Sequence, residues 1–540
     1  MMRPALQIPA RFNIGEWLLD RPAEAHPERI AILGEPAAVR YGELRELANR
    51  AGNALQAIGC GRGDRVLIVL RDSAEFIAAF LGATKIGALP VAVNSFARRS
   101  DYSFYLADSA ASAAIVDESA LEEFLPAAEG RRLRSVVVGE SARSNELRWS
   151  EWVLAAASEL SPVNTAATDA AFLSYTSGSG GQPKAAVHQH KDMLVCARSY
   201  AEGVLGIRSE DRFFSVSKLF FAYGLGNGMY FPLSVGGSTI LNPEKTRIER
   251  VAEIVRRHRP TIFFSVPTFY AALLQEANHG RAFDFSSVRL AVSAGEALPA
   301  EVFSQFRERF GIEILDGIGS TEMLHIFVSN HPGSARAGSC GTPVANYEVS
   351  IRNEEGKACA AGDIGSLFVN GESAFSEYWG KPEYSARVKA GGWVATGDKF
   401  FCDADGYYHY SGRGDDMLKV SGMWVSPIEV ENALLADERV AEAAVVGVQD
   451  GGGLVKPVAY VVAAAGLQPS TELGDAIREL LRAKLVHYKC PREICFVEEL
   501  PKTVTGKIQR FLLRERAAVA ERGKLGAEAK ESGAASPGDK

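Results

Sequence analysis

Between Tyr175 and Lys184 the chain reads YTSGSGGQPK, so three glycines, three aliphatic hydroxyls and a lysine follow directly on the apolar run AAFLSY. Such a loop suits a polyphosphate. Glycine lets the backbone approach anionic oxygens, hydroxyls and amides donate hydrogen bonds, and the lysine brings a mobile positive charge. Composition alone serves a flexible surface loop equally well. A Walker A loop ends in Gly-Lys-Ser/Thr, whereas Lys184 follows Pro183 and precedes Ala185, which excludes phosphate binding of the P-loop NTPase kind.

Other segments carry charge or hydroxyls at close spacing: Thr321-Glu322 in DGIGSTE, Asp398 in ATGD, Arg413 in SGRGDD and Lys507 in PKTVTGKIQR. Each has a plain structural reading beside the chemical one. Ser-Thr-Glu is a common helix cap with an acid in the first turn, SAGEAL at 293–298 is a strand-to-helix turn, and a lone Gly-Lys is a solvated turn.

Taken in order, the loop, SAGEAL (293–298), DGIGSTE (316–322), TGD (396–398), GRGDDMLKVSGMWVSPIEVE (412–431) and PKTVTGKIQR (501–510) resemble the adenylate-forming superfamily. That superfamily holds acyl-CoA ligases, peptide-synthetase adenylation domains and luciferases, whose loop reads approximately TSGTTGxPKG. Thr176, Ser177, Gly178, Ser179, Gly180, Gly181, Pro183 and Lys184 carry the likeness. Ser179-Gly180 stands in place of the hydroxyl pair and Ala185 in place of the closing glycine.

The resemblance implies a two-step reaction. A carboxylate attacks the α-phosphorus of ATP to give an acyl-adenylate and pyrophosphate, and the thiol of coenzyme A then displaces AMP. Both steps build negative charge on phosphate oxygens, which placed cations and hydroxyls stabilise. By the same resemblance Lys507 is the adenylation lysine, Glu322 the Mg²⁺ ligand and Thr321 a donor to the α-phosphate. Asp398 and Arg413 fall to the ribose, and Ala294, Gly295 and Glu296 with Asp316, Gly317 and Ile318 enclose adenine. Asp415 is the hinge residue of a C-terminal domain that rotates between the two steps. Gly422 then lines the pantetheine tunnel with Trp424 as its wall, and Lys419 either assists thioester formation or simply faces solvent.

Phe220–Gly228, FFAYGLGNG, looks like the benzoate-CoA ligase branch. Ala222, Tyr223, Gly224, Ile318, Gly319 and Ile326 then form a compact slot for an aromatic acid of the benzoate or aminobenzoate class. His325 contacts the acid or is a satisfied structural histidine. His188 and His190 are read as packing and loop-bracing residues. Two other readings use the same residues: a stand-alone adenylation enzyme loading a carrier protein, and a non-catalytic adenylate binder.

The elements that must hold these residues are legible as well. RVLIVL, the amphipathic DSAEFIAAFLGATKIG and ALPVAVN progress as strand, helix, strand from Arg65, and SVVVG, AAFLSYT, TIFFSVP and VRLAVSAG continue the alternation. The expected fold is α/β, with doubly wound sheets and a small β-barrel-like lobe over 1–413, an α+β C-terminal domain over 414–516 and a flexible tail over 517–540. FCDADGYYHYSGR reads as a hairpin, and Ser426-Pro427-Ile428-Glu429 as a helix start.

A chain of 540 residues is too long for one core, and 47% hydrophobic with 23% charged residues is globular composition. A net charge of −7 argues against nucleic acid as a partner. Seven cysteines without a CxxC pair fit free thiols in a reducing cytoplasm, and no apolar run reaches the roughly 18 residues of a membrane span. The expected partners are ATP, coenzyme A and an aromatic acid, on a monomer or homodimer.

Overall fold

The computed structural model describes residues 6–34, 37–140, 147–176, 182–414, 416–420, 423–449, 455–502 and 508–520. Two largely parallel sheets form the large N-terminal domain. One has seven strands, in the order Leu147–Arg148, Arg134–Val138, Ala113–Asp117, Arg65–Val69, Leu89–Ala92, Ala170–Thr176 and Lys184–Gln189. Only its last pair is antiparallel, Thr176 lying opposite Lys184, so the glycine-rich loop connects two neighbouring strands.

The other sheet has nine strands. Its centre is the parallel set Ile314–Gly319, Leu290–Ser293, Ile262–Ser265 and Arg212–Ser215, and it turns antiparallel where Ile326–Ser329 pairs with Ile314–Gly319. Ile262–Ser265 and Leu290–Ser293 are buried at every position, which is why they read as unbroken apolar runs rather than alternating ones.

Ala74–Lys85 departs from the amphipathic expectation: all of it but Ala74 and Glu75 is buried. The helix packs against the strands Arg65–Val69 and Leu89–Ala92 and also beneath the helix Tyr41–Ala57. Glycines permit that second contact, since a Cβ at Gly82 would stand 2.5 Å from the Ala48 carbonyl oxygen and one at Gly52 2.9 Å from that of Gly82. The burial takes in Lys85, whose ammonium pairs with the Asp20 carboxylate and donates to Asn49 Oδ1 at 2.7 Å.

The expected barrel-like lobe is a five-stranded antiparallel sheet of Tyr347–Arg352, Gly365–Gly371, Trp393–Cys402, Lys389–Ala390 and Tyr408–Arg413. Tyr347–Arg352 remains an edge among the described residues, so the pairing does not close a ring. The expected hairpin is present, with Trp393–Cys402 and Tyr408–Arg413 as its arms.

Beyond it lies the small C-terminal domain. Ser426 caps Pro427–Leu435 by accepting from Glu429 N at 3.2 Å, and Val440–Gln449, Val455–Ala463 and Glu493–Phe496 form a sheet beside the helix Thr471–Lys484. Residues 510–520 are helical and Ala517 is buried, so ordered structure runs past the point where the composition first turns tail-like. No helix among the described residues is long and apolar enough to cross a membrane.

The Lys85–Asp20 pair gives a stability test. Asp20→Ala strands a buried ammonium and is expected to cost about 3–5 kcal/mol, read as a lowered urea midpoint. Adding Lys85→Met should recover much of the loss; an unchanged midpoint in the single variant would refute the burial argument.

Candidate active site

The parallel pairing of three strands of the nine-stranded sheet ends at one level. Ser265, Ser293 and Asp316 occupy facing positions across them, and all three are buried. Ala294-Gly295-Glu296 leaves the middle strand at this edge, with Gly295 at φ +95°, a left-handed conformation that suits glycine. Among the described residues no cation pairs with Asp316. Its Oδ2 accepts from the Cys340 thiol at 3.7 Å, its Oδ1 has no partner among the described residues, and burial pushes its carboxyl up to about 8.

From Asp316 the strand continues through Gly317, Ile318 and Gly319 into a tight reversal, with Gly319 facing Ile326 on the return strand. Both glycines are sterically required. A Cβ at Gly319 would lie 2.5 Å from the His325 carbonyl oxygen, and one at Gly317 would lie 2.8 Å from that of Val328. The reversal carries Thr321 and Glu322, capped by Ser320 Oγ, which accepts from Met323 N at 3.3 Å. Leu324 closes it at φ +66°, a conformation that costs a non-glycine residue energy and persists only where neighbours enforce it.

Those neighbours come from elsewhere in the chain. His188, fully buried in the strand that begins at Lys184, places Nε2 2.8 Å from the Thr321 carbonyl oxygen and Nδ1 2.9 Å from Asp192 Oδ2. Phe375 N donates to the Glu322 carbonyl oxygen at 2.7 Å, and Tyr378 Oη donates to Glu322 Oε1, also at 2.7 Å. Burial and the adjacent carboxylate raise the Tyr378 phenol far above its ordinary value, so it keeps its proton. Tyr378 also bridges to Ala186, and its ring lies 5.4 Å from that of Tyr384, over which Lys184 Nζ sits at 4.6 Å. Lys184 and Glu322, which are 138 positions apart, are thereby tied to one short segment. His190 braces the opposite end of the same strand, its Nδ1 accepting from Ile14 N at 3.2 Å.

Asp398 and Arg413 face each other across the hairpin, and Arg413 Nη1 donates to Asp398 Oδ1 at 3.1 Å and to the Thr396 carbonyl oxygen at 3.2 Å. Gly397 is at φ +79°, and a Cβ there would meet Arg413 Nη2 at 2.9 Å. The glycine of TGD therefore makes room for the pair.

Aromatic residues gather beside the reversal. His325 is buried with its ring 5.4 Å from Tyr223, 5.3 Å from Tyr200 and 4.5 Å from Phe231. Burial lowers its pKa to about 3, and the neutral ring donates from Nε2 to Asn227 Oδ1 at 3.1 Å. Tyr223 Oη donates to the Ser265 carbonyl oxygen at 3.3 Å, which ties this cluster to the ends of the parallel strands. Gly224 packs on backbone, its absent Cβ falling 2.0 Å from the Lys218 carbonyl oxygen, while Ala222 is half-buried and Ile326 buried. Asn227 and Tyr378 escape sequence reasoning; the only local signals are the GLGNG run and the aromatic SEYWG segment.

Ser177, Gly178, Ser179, Gly180, Gly181, Asp415, Gly422 and Lys507 lie outside the described residues. Lys419 and Trp424 fall opposite one another in the paired strands Leu418–Val420 and Met423–Val425. Among the described residues no group of three His, Cys, Asp or Glu is arranged to hold a metal ion.

The chain is similar to known proteins along most of its length. The AMP-binding enzyme family matches residues 19–379, and the AMP-binding enzyme C-terminal domain matches 429–507. A benzoate–CoA ligase of Thauera aromatica is 44% identical over 520 residues, spanning 95% of this chain and 97% of that protein. The crystal structure of a benzoate CoA ligase from Burkholderia xenovorans LB400 superposes with TM-score 0.86 at 41% identity, covering 93% of this chain and 100% of that one. That of the anthranilate CoA ligase AuaEII with anthranoyl-AMP gives 0.89 at 39%, covering 95% and 98%.

Asp316 sets a pH signature. Its folded pKa of about 8 lies above the ordinary carboxyl value of 3.8, so the stability tied to its proton is complete below 3.8 and is lost as pH rises through about 8. Asp316→Asn cannot ionise, so its thermal midpoint should gain on the parent between about pH 5 and about pH 9. An equal difference at both pH values would contradict the buried, neutral carboxyl.

Proposed function

The chain belongs to the AMP-binding enzyme family, and from that premise we propose how its residues divide the work of an aryl-CoA ligase. The enzyme joins an aromatic carboxylate to coenzyme A at the expense of ATP, through an aryl-adenylate, releasing pyrophosphate and then AMP. The carrying observation is the meeting of unlike groups at one sheet edge. The strand ends with Thr321, Glu322 and the Lys184 segment present charge and hydroxyls, and the Tyr223–His325 cluster beside them presents aromatic surface.

Carboxylate oxygen attacks the α-phosphorus, and pyrophosphate leaves. Lys184 and the glycine-rich loop hold the outgoing phosphates, Thr321 donates to the α-phosphate, and Lys507 neutralises the charge that grows on it. Asp398 accepts from the ribose hydroxyls, with Arg413 fixing its carboxylate. Adenine lies between Ala294-Gly295-Glu296 and Asp316-Gly317-Ile318.

A hard divalent cation suits Glu322. It is one carboxylate with Oε1 already bonded and Oε2 without a hydrogen-bond partner among the described residues, and Mg²⁺ takes most of its ligands from phosphate and water. Bound there, the ion supplies positive charge to the phosphates. The C-terminal domain then turns about Asp415, and coenzyme A enters past Gly422 and Trp424 beside Lys419 and attacks the carbonyl carbon. Free thiols at all seven cysteines fit a cytoplasmic enzyme.

The acid belongs to the benzoate class, with 2-aminobenzoate within reach. Tyr223, His325 and Ile326 wall an aromatic slot, and a methylene-scale difference between such acids is worth only about 1–3 kcal/mol. The test is product analysis with ATP, Mg²⁺, coenzyme A and a panel of benzoates. AMP, pyrophosphate and an aryl-CoA thioester are expected. ADP as the nucleotide product would reject the mechanism, and thioester only on a carrier protein would reassign the acceptor.

A further inference from the structure

We infer that Tyr378 is a positioning residue for the cation site: its phenol fixes Glu322 Oε1 and so aims Oε2 at the divalent ion bound with ATP. The inference rests on Glu322 being that ion's ligand.

An ionised carboxylate is acceptor-only, so the 2.7 Å contact has the phenol donating. A free glutamate turns about its last torsion and offers either oxygen; one strong hydrogen bond ends that exchange. The rest of Tyr378 is immobilised to match. Its side chain is buried, its N donates to Ser385 Oγ at 2.8 Å, and its ring packs 4.6 Å from Phe375, whose own N holds the Glu322 carbonyl oxygen.

Tyr378 also pairs with Ala186, and Trp379 N donates to the Ala185 carbonyl oxygen at 2.8 Å, both in the strand that starts at Lys184. One segment thus sets the carboxylate for the cation against the base of the glycine-rich loop. Groups that orient a metal ligand in this way typically govern affinity by about 10–100-fold.

The experiment compares the parent with Tyr378→Phe, which removes a single oxygen, and with Glu322→Gln as reference. Two readouts are taken: the Mg²⁺ concentration giving half-maximal adenylation, and calorimetric affinity for α,β-methylene-ATP at limiting and at saturating Mg²⁺. Tyr378→Phe should raise the half-maximal Mg²⁺ concentration about 10-fold or more and weaken analogue binding at limiting Mg²⁺. The rate at saturating Mg²⁺ should stay within about threefold of the parent.

An unmoved Mg²⁺ curve, or a rate loss that saturating Mg²⁺ does not restore, overturns the inference. If Glu322→Gln also leaves the curve unmoved, the assignment of Glu322 has failed and the inference falls with it. If Glu322→Gln shifts the curve and Tyr378→Phe does not, the inference alone has failed.

Discussion

Two sheets from different layers meet at one buried imidazole. His188, in the last strand of the seven-stranded sheet, bonds the Thr321 carbonyl oxygen in the reversal that ends the parallel part of the nine-stranded sheet. Asp192 fixes its other nitrogen. Together with the Tyr378 segment, that link sets the strand beginning at Lys184 against the Thr321-Glu322 turn, the kind of fixed placement on which catalytic geometry depends. The positive φ at Leu324 is the local cost of the arrangement, carried by a turn that Phe375 and Tyr378 also pin.

The electrostatic design follows from burial. The edge where the parallel pairing ends carries Ser265, Ser293 and an Asp316 that burial keeps protonated near neutral pH, so Asp316 itself sets no fixed negative charge against a polyanion. Two carboxylates nearby are held by partners, Glu322 by a phenol and Asp398 by a guanidinium. His325 is neutral for the same reason as Asp316, which lets an aromatic cluster form beside the charged half without a buried cation.

Much of this was legible in the chain. The alternation from Arg65 onward, the Ser426 cap and the Asp405-Gly406 hairpin are local patterns, and local patterns survive in one dimension. Motif order identified the residues proposed for chemistry. What stayed hidden was long-range: His188 reaches a carbonyl 133 positions away and Tyr378 a carboxylate 56 positions away, and neither partner leaves a periodic trace. The all-round burial of Ala74–Lys85 was missed for a related reason, since a second covering helix depends on the close approach at Gly52 and Gly82 rather than on the helix's own pattern.

The central claim is that the acid's own oxygen becomes bonded to the α-phosphorus. Benzoate labelled with ¹⁸O in both carboxylate positions, turned over with unlabelled ATP and coenzyme A, tests it directly by mass spectrometry of the nucleotide product. One labelled oxygen is expected in AMP, because the bond broken by sulfur lies between the carbonyl carbon and that oxygen. Label in inorganic phosphate, or unlabelled AMP, would contradict the account.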